Sequence, residues 1–308
     1  MYTILGATGN IGSKIADILI RKGEDVRLVA RTADRLLPSL VKKAKADATY
    51  VGEAHSYVGD IMETEFLVKA IEGSEALFTL IPPNLRANTF IPYADKIGES
   101  IARAIEIVKV RHVVNLSSIG AEQSQSTGPI LSLHEQEKRL NRIKELNVMH
   151  VRAGYFMENL LWNIDLIKSK GVTGSAIRGD IKIAAIATKD IAEYAAKRLT
   201  KRDFTGSSVH YLLGQRDITL IEASGAIGSK ISKPGLPYVT FPYEEAEKSM
   251  VAMGLSPDMS RTYIEMARAF NEGKINAEKR TKENTTPTSI ELFCDEVFVP
   301  AFTKKKAA

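Results

Sequence analysis

The chain has 308 residues and one cysteine, Cys294, which excludes an intrachain disulfide and a cysteine-built metal site and leads us to expect a reducing, cytoplasmic setting. Its 42 basic and 37 acidic residues, a formal net charge of +5, are scattered along the sequence, the pattern of a solvated surface rather than of a nucleic-acid partner. There is no run of about 18 apolar residues, and Met1 leads straight into a strand-like segment without the basic and apolar regions of a signal peptide, so no membrane partner is expected.

In chain order, Tyr2 to Leu5, Val26 to Ala30, His55 to Val58, Ala76 to Ile81 and His112 to Leu116 are short apolar runs that read as strands. Between them, Ile11 to Lys22, Thr64 to Ile71 and Ala94 to Val108 carry apolar residues at helical spacing. This alternation predicts parallel βαβ units, wound right-handedly into an open sheet covered on both faces. A helix over Leu133 to Glu145 and a sixth strand over Val148 to Val151 extend it.

Beyond Gly154 the alternation loosens. Ile183 to Ala187, Lys189 to Leu199 and Val209 to Leu213 read as strand, helix and strand returning to the main sheet. Residues Tyr155 to Gly179 and Ile218 to Phe302 are expected to form a smaller lobe, with helices over Leu220 to Ile231, Tyr243 to Met253 and Pro257 to Asn271. The polar stretch Lys274 to Pro287 reads as a loop before a closing helix, Thr288 to Val297. The terminal run Lys304-Lys305-Lys306 is assigned no function.

The first strand passes into the first helix through Gly6-Ala7-Thr8-Gly9-Asn10-Ile11-Gly12. Glycine at the first position permits a tight turn, at the second lets backbone approach a pyrophosphate, and at the third lets the helix pack closely on the strand. The helix N-terminus then offers free N–H groups and a partial positive charge to phosphates. Gly6, Thr8, Gly9, Asn10, Ile11 and Gly12 are therefore the expected contacts of a bound dinucleotide. The predicted class is α/β: a Rossmann-type doubly wound parallel sheet with a smaller, discontinuous α+β lobe. Residues 1–154, with 180–215 returning to them, would form the NAD(P)-binding domain, and 155–179 with 216–303 the substrate or partner lobe.

The second strand ends Leu28-Val29-Ala30-Arg31-Thr32, with no acid at the tip to take a ribose 2′-hydroxyl. Arg31 suits a 2′-phosphate, being permanently charged and able to grip it with two hydrogen bonds. Arg35 and Lys42 would add to the field. NADP(H) is thus expected, with NAD(H) as the alternative.

The glycine loop, the strand ending in Arg31, Gly59-Asp60 and Asn115-Leu116-Ser117-Ser118-Ile119-Gly120-Ala121 together resemble the atypical short-chain dehydrogenase/reductases. The run Val151-Arg152-Ala153-Gly154-Tyr155-Phe156-Met157-Glu158-Asn159 is similar to the NmrA-like branch, which contains redox sensors and NAD(P)H-dependent quinone and azo-compound reductases. Lys189-Asp190-Ile191-Ala192 and the closing segment Thr288 to Phe302 look like that branch too. The resemblance implies that Asp60 and Ile61 lie beside the adenine, and that Leu80, Ile81 and Pro82 pass the pyrophosphate and nicotinamide ribose. It further implies that Ser117, Tyr155 and Phe156 stand by the cofactor and that Pro83, Tyr155 and Asn159 line a substrate mouth. For the two serines a strand-end cap, and for the two aromatics plain core packing, are the alternative readings.

The wider superfamily carries Tyr-x-x-x-Lys on a helix, where lysine lowers the tyrosine pKa for proton donation. Here the helix reads Leu133-His134-Glu135-Gln136-Glu137-Lys138. His134 and Lys138 keep the spacing, with histidine in place of tyrosine, and are candidate catalytic residues together with Ser118. The NmrA-like pattern pairs a histidine with an acid four residues on, whereas Glu137 is three from His134. Two functions stand at this point. One is a reductase moving hydride from NADPH to a small electrophile such as a quinone; the other is a non-catalytic NADP(H) sensor acting through a protein partner.

Overall fold

The computed structural model describes residues 1–32 and 51–304; Arg35, Lys42, Lys305 and Lys306 lie outside the described residues. The described strands run, in chain order, β1 (Tyr2–Leu5), β2 (Val26–Ala30), β3 (Ala54–Val58), β4 (Ala76–Thr79), β5 (His112–Ser118), β6 (Asn147–Ala153), β7 (Tyr155–Phe156), β8 (Thr173–Ser175), β9 (Ile183–Ile186), β10 (Ser207–Leu212), β11 (Asp217–Ile218) and β12 (Tyr238–Thr240). Among them, seven form one wholly parallel sheet in the order β10-β6-β5-β4-β1-β2-β3. The order reverses between β1 and β4, and a crevice outside the carboxyl ends of strands at such a reversal is where open α/β sheets take ligands.

Both faces of this sheet are apolar, and adjacent residues of one strand feed different cores. Ile4, Leu28, Phe78 and Val114 join one cluster with Ile15 and Leu19 of the Gly12–Arg21 helix and Ile191, Ala195 and Leu199 of the Thr188–Lys201 helix. Leu5, Val29, Leu77 and Val113 join another with Leu67 of Thr64–Ile71 and Ile97, Ile101 and Ala104 of Phe90–Val108. A period of two along fully apolar strands is what a sheet covered on both sides requires.

The structure departs from expectation in a few places. The β4 ladder ends at Thr79 rather than Ile81, as the chain leaves towards Pro82 and Pro83, which have no N–H to give to a ladder. The next helix starts at Phe90, four residues before Ala94, because Asp258 from the far end of the chain accepts the Phe90 N–H at 2.8 Å. The Ile130–Asn141 helix starts and ends earlier than Leu133 to Glu145.

β10 takes the edge of the main sheet beside β6, but β9 does not return to it. β9 instead pairs parallel with β7 and antiparallel with β11. Four buried apolar residues carry no label saying which sheet they join. The selecting feature lies elsewhere: a Cβ on Gly154 would stand 2.1 Å from the Ala184 oxygen, and one on Gly214 1.6 Å from that of Ala185. Only glycine there lets the β9 backbone lie against the ends of β6 and β10.

The remaining elements form a third core. Its helices are Leu220–Lys230, opened by a Thr219/Glu222 capping box; Tyr243–Ala252; and Pro257–Asn271, capped by Ser256. The closing helix begins at Ile290, widens into a π-helical turn over Cys294–Phe298 and continues through Val299–Thr303. That turn ends two residues before Pro300, whose missing N–H breaks the regular ladder. No helix among the described residues is long and apolar enough to cross a membrane.

Candidate functional site

The loop after β1 has the geometry its sequence implies. Gly6 adopts φ +67°, which L side chains rarely do, and accepts the Gly9 N–H at 2.9 Å. A Cβ on Gly12 would stand 2.4 Å from the Gly6 oxygen, so this glycine sets how closely the helix approaches the strand. Among the described residues, a Cβ on Gly9 would meet that oxygen alone, at 3.2 Å. Thr8, Gly9 and Asn10 are partly or fully exposed around this point, and Ile11 is buried beneath it.

Lys14, one turn into the helix, was not singled out by the sequence. Its ammonium donates to the Asn10 carbonyl at 2.7 Å and to Thr188 Oγ1 at 3.2 Å. Glu158 completes the group, its carboxylate accepting the Thr188 N–H at 3.1 Å and also the Thr188 hydroxyl. Burial lowers the Lys14 pKa and the Glu158 charge opposes that shift. The cation is thus held against the phosphate loop, where an anionic ligand would oppose the effect of burial and favour its charged form.

At the β2 end Arg31 is exposed, and Asp60 after β3 is exposed with its carboxylate accepting the Met62 N–H at 2.9 Å. Ile61 is buried. Tyr93 of the Phe90–Val108 helix feels both charges: burial raises its pKa, Arg31 opposes the shift and Asp60 adds to it. An arginine, an aspartate and an aromatic ring from three separate elements are therefore close enough to influence one another electrostatically. After β4, Leu80 stands against Gly6, 3.1 Å from where a Cβ would be; Ile81 is buried, Pro82 half-buried and Pro83 exposed.

The β5 end sorts the remaining candidates. Ser117 and Arg152 are register partners on β5 and β6 and turn to the same helix. There the Ser117 hydroxyl donates to Glu137 at 2.5 Å, and the Arg152 guanidinium holds both Glu137 oxygens at 3.0 and 2.7 Å. Arg152 also donates to Tyr211 and Glu122. Glu137 is therefore the anchor of a buried network rather than a hydrogen-bond partner of His134. His134 Nδ1–H donates to the Ala121 carbonyl at 2.8 Å, and Nε2 is 3.9 Å from Glu135. Lys138 is on the surface, bonded to Glu135 at 2.9 Å. The Ser118 hydroxyl donates to the Ile119 carbonyl at 2.9 Å, a strand-end contact at the rim of the sheet.

Tyr155 meets Phe270 edge to face at 6.4 Å, has the Asn159 side chain beside its hydroxyl, and has its pKa raised by burial. Phe156 packs half-buried against the core under the glycine loop, whereas Asn159 is exposed. Beyond it the exposed Trp162 meets Tyr263 of the Pro257–Asn271 helix. Lys14, Tyr93, Glu158, Trp162 and Tyr263 were missed because each acquires a role only through a partner far away in sequence; Glu158 alone stood inside a quoted motif.

The NmrA-like family profile matches residues 2–294. An NAD(P)H azoreductase from Xenophilus azovorans is 24% identical over 266 residues, 86% of each chain. Among solved structures, the NADPH complex of an NADPH-dependent quinone oxidoreductase from Escherichia coli superposes with a TM-score of 0.76 at 19% identity, covering 97% of this chain and 100% of that one. The NADP(H) complex of a triphenylmethane reductase from Citrobacter sp. gives 0.75 at 18% identity, with 96% and 99% covered. At these identities the two structures speak for the fold.

Proposed function

The chain belongs to the NmrA-like family, and from that premise we propose that it is an NADPH-dependent reductase of small electrophiles such as quinones or azo compounds. The observation that carries the reading is the loop geometry: among the described residues a Cβ on Gly9 would meet nothing but the Gly6 oxygen, which leaves a cradle free at the helix N-terminus. A pyrophosphate fits there, against the N–H groups of Thr8, Gly9 and Asn10 and above Ile11, with Lys14 alongside. Arg31 takes the 2′-phosphate, and Asp60, Ile61 and Tyr93 the adenine side. Leu80, Ile81, Pro82 and Phe156 guide the nicotinamide half. The relative named as an azoreductase supports an acceptor of that kind.

When bound, NADPH would supply the hydride, and the protein holds the acceptor beside it. Pro83, Tyr155 and Asn159 line the acceptor's mouth. Burial keeps the Tyr155 phenol protonated and able to donate a hydrogen bond. His134, whose Nδ1–H is committed to Ala121, positions the loop after β5. Ser117 and Lys138 take no part, their polar groups being held by Glu137 and Glu135.

Steady-state NADPH oxidation with a panel of quinones, azo dyes and carbonyls tests the reading, and turnover with at least one quinone or azo acceptor is expected. A reduced quinone takes its protons from water, so His134→Ala should keep turnover within about tenfold; a drop of ~10²–10⁴-fold at unchanged NADPH affinity would make His134 the proton donor instead. Tight NADPH binding with no turnover on any acceptor would leave the sensor reading. For Arg31→Ala we expect NADPH affinity to fall by roughly tenfold or more with NADH spared, since a charged hydrogen bond contributes about 1.5–3 kcal/mol. Calorimetric titration of both nucleotides measures this, and equal wild-type affinities would remove Arg31 from the site.

A further inference from the structure

The short 3₁₀ helix Met157–Asn163 lies between the phosphate-loop helix and the smaller lobe, and its faces are unequally used. Side chains three apart eclipse in such a helix. Met157 and Leu160 are buried, Asn163 in line with them accepts the Gly174 N–H at 2.7 Å, and Glu158 is spent on Thr188. That leaves the line of Asn159 and Trp162 open. Trp162, the single tryptophan of the chain, is 51% exposed.

Its position is what separates it from an ordinary surface aromatic. The Tyr263 ring meets the indole edge-on, with centroids 6.2 Å apart at 69°, a contact that engages one flank and leaves half of the residue open. Tyr263 packs in the same cluster as Leu85 and Tyr93, and the helix that carries it is tied to the loop after β4 through Ser256 N–H to Leu85 O at 2.8 Å. The other end of the 3₁₀ helix starts at the Tyr155–Phe270 pair. Trp162 thus belongs to the chain leaving β7, and through Tyr263 it adjoins the helix that is tied to the chain leaving β4. Asn159, a donor and acceptor, is the polar neighbour on the same face.

We propose that the Trp162 indole, buttressed edge-on by Tyr263, is the platform on which the acceptor lies, that Asn159 meets its polar edge, and that this platform selects planar, electron-poor aromatic acceptors over compact aliphatic ones; the proposal rests on the reductase reading above. The face of an indole is electron-rich, so it attracts a ring depleted by carbonyl or azo substituents and gains contact area from its flatness. An aliphatic carbonyl offers neither.

The test uses menadione and the whole chain. With the protein saturated with NADP⁺, menadione should quench the tryptophan emission saturably, and that emission has one source. In turnover, Trp162→Ala should raise KM for menadione by roughly tenfold to a hundredfold, equivalent to about 1.4–2.8 kcal/mol, with kcat and NADPH affinity nearly unchanged, the signature of lost uniform binding. Trp162→Phe, which keeps a ring, should recover most of the loss. Turnover with an unchanged KM in Trp162→Ala, or no quench at menadione concentrations that saturate turnover, overturns the platform and leaves the reductase reading in place. A saturable quench with no turnover on any acceptor does the reverse: it upholds the platform as a binding surface and removes the reductase. No quench and no turnover overturns both.

Discussion

Gly9→Val is expected to abolish binding of NADPH and NADH alike while the protein stays folded. Gly9 has no left-handed backbone to protect, its N–H to Gly6 O bond is made by backbone that valine also has, and a Cβ would touch only that oxygen at 3.2 Å. The branched side chain would instead fill the cradle into which the helix N-terminus directs its N–H groups. Losing those contacts together should weaken either nucleotide by more than about a hundredfold, or ~3 kcal/mol. Gly12→Val makes the informative contrast: its Cβ would lie 2.4 Å from the Gly6 oxygen, so it should damage the fold as well as the site. Calorimetry paired with a thermal melt separates the cases, and a folded Gly9→Val protein that still bound NADPH would place the phosphates elsewhere.

The second large effect is on stability and lies one strand layer behind the site. Glu137 is nearly enclosed, its side chain 7% exposed, and is satisfied by Ser117 and by both arms of Arg152, itself 12% exposed. Arg152→Met would leave that carboxylate buried with one hydroxyl, and removing one partner of such a pair costs about 3–5 kcal/mol. Urea unfolding should show the loss. The double variant Glu137→Gln with Arg152→Met should recover part of it, because the stranded charge is then gone. Arg152→Lys should rescue incompletely, since an ammonium cannot span both oxygens as the guanidinium fork does. If Arg152→Met unfolded at the wild-type midpoint, Glu137 would have to reach water by a route the structure does not show.

What the sequence disclosed and what it hid follow from the range of the interactions concerned. Strands β1 and β2 and the first helix are set by neighbours in sequence, so period and glycine spacing located them to within a residue or two. Gly6 and Gly12 were readable because each answers a backbone constraint that only glycine meets, and Gly9 because a bare Cα leaves the cradle free. β9 was assigned to the wrong sheet because the deciding contacts, Gly154 and Gly214 against its carbonyls, join segments about 30 residues apart in sequence. The start of the Phe90–Val108 helix was hidden for the same reason, its first N–H being held by Asp258. On the Ile130–Asn141 helix, His134 and Lys138 looked equivalent by spacing. The fold distinguishes them by giving one a loop carbonyl and the other a surface glutamate. Glu137 looked like a misplaced partner for His134 because nothing local announces Arg152 on the next strand.

The central claim is that this chain spends its bound NADPH on an acceptor rather than merely holding it. Single-turnover mixing tests that most directly: protein loaded with one equivalent of NADPH is mixed with excess menadione while the reduced-nicotinamide absorbance is followed. Binding on the glycine loop beside an acceptor site predicts complete loss of that absorbance, one NADPH per chain, in a single exponential whose rate saturates with menadione. Bound NADPH that stays reduced under menadione and the rest of the acceptor panel, in protein that calorimetry shows to be loaded, would contradict the account.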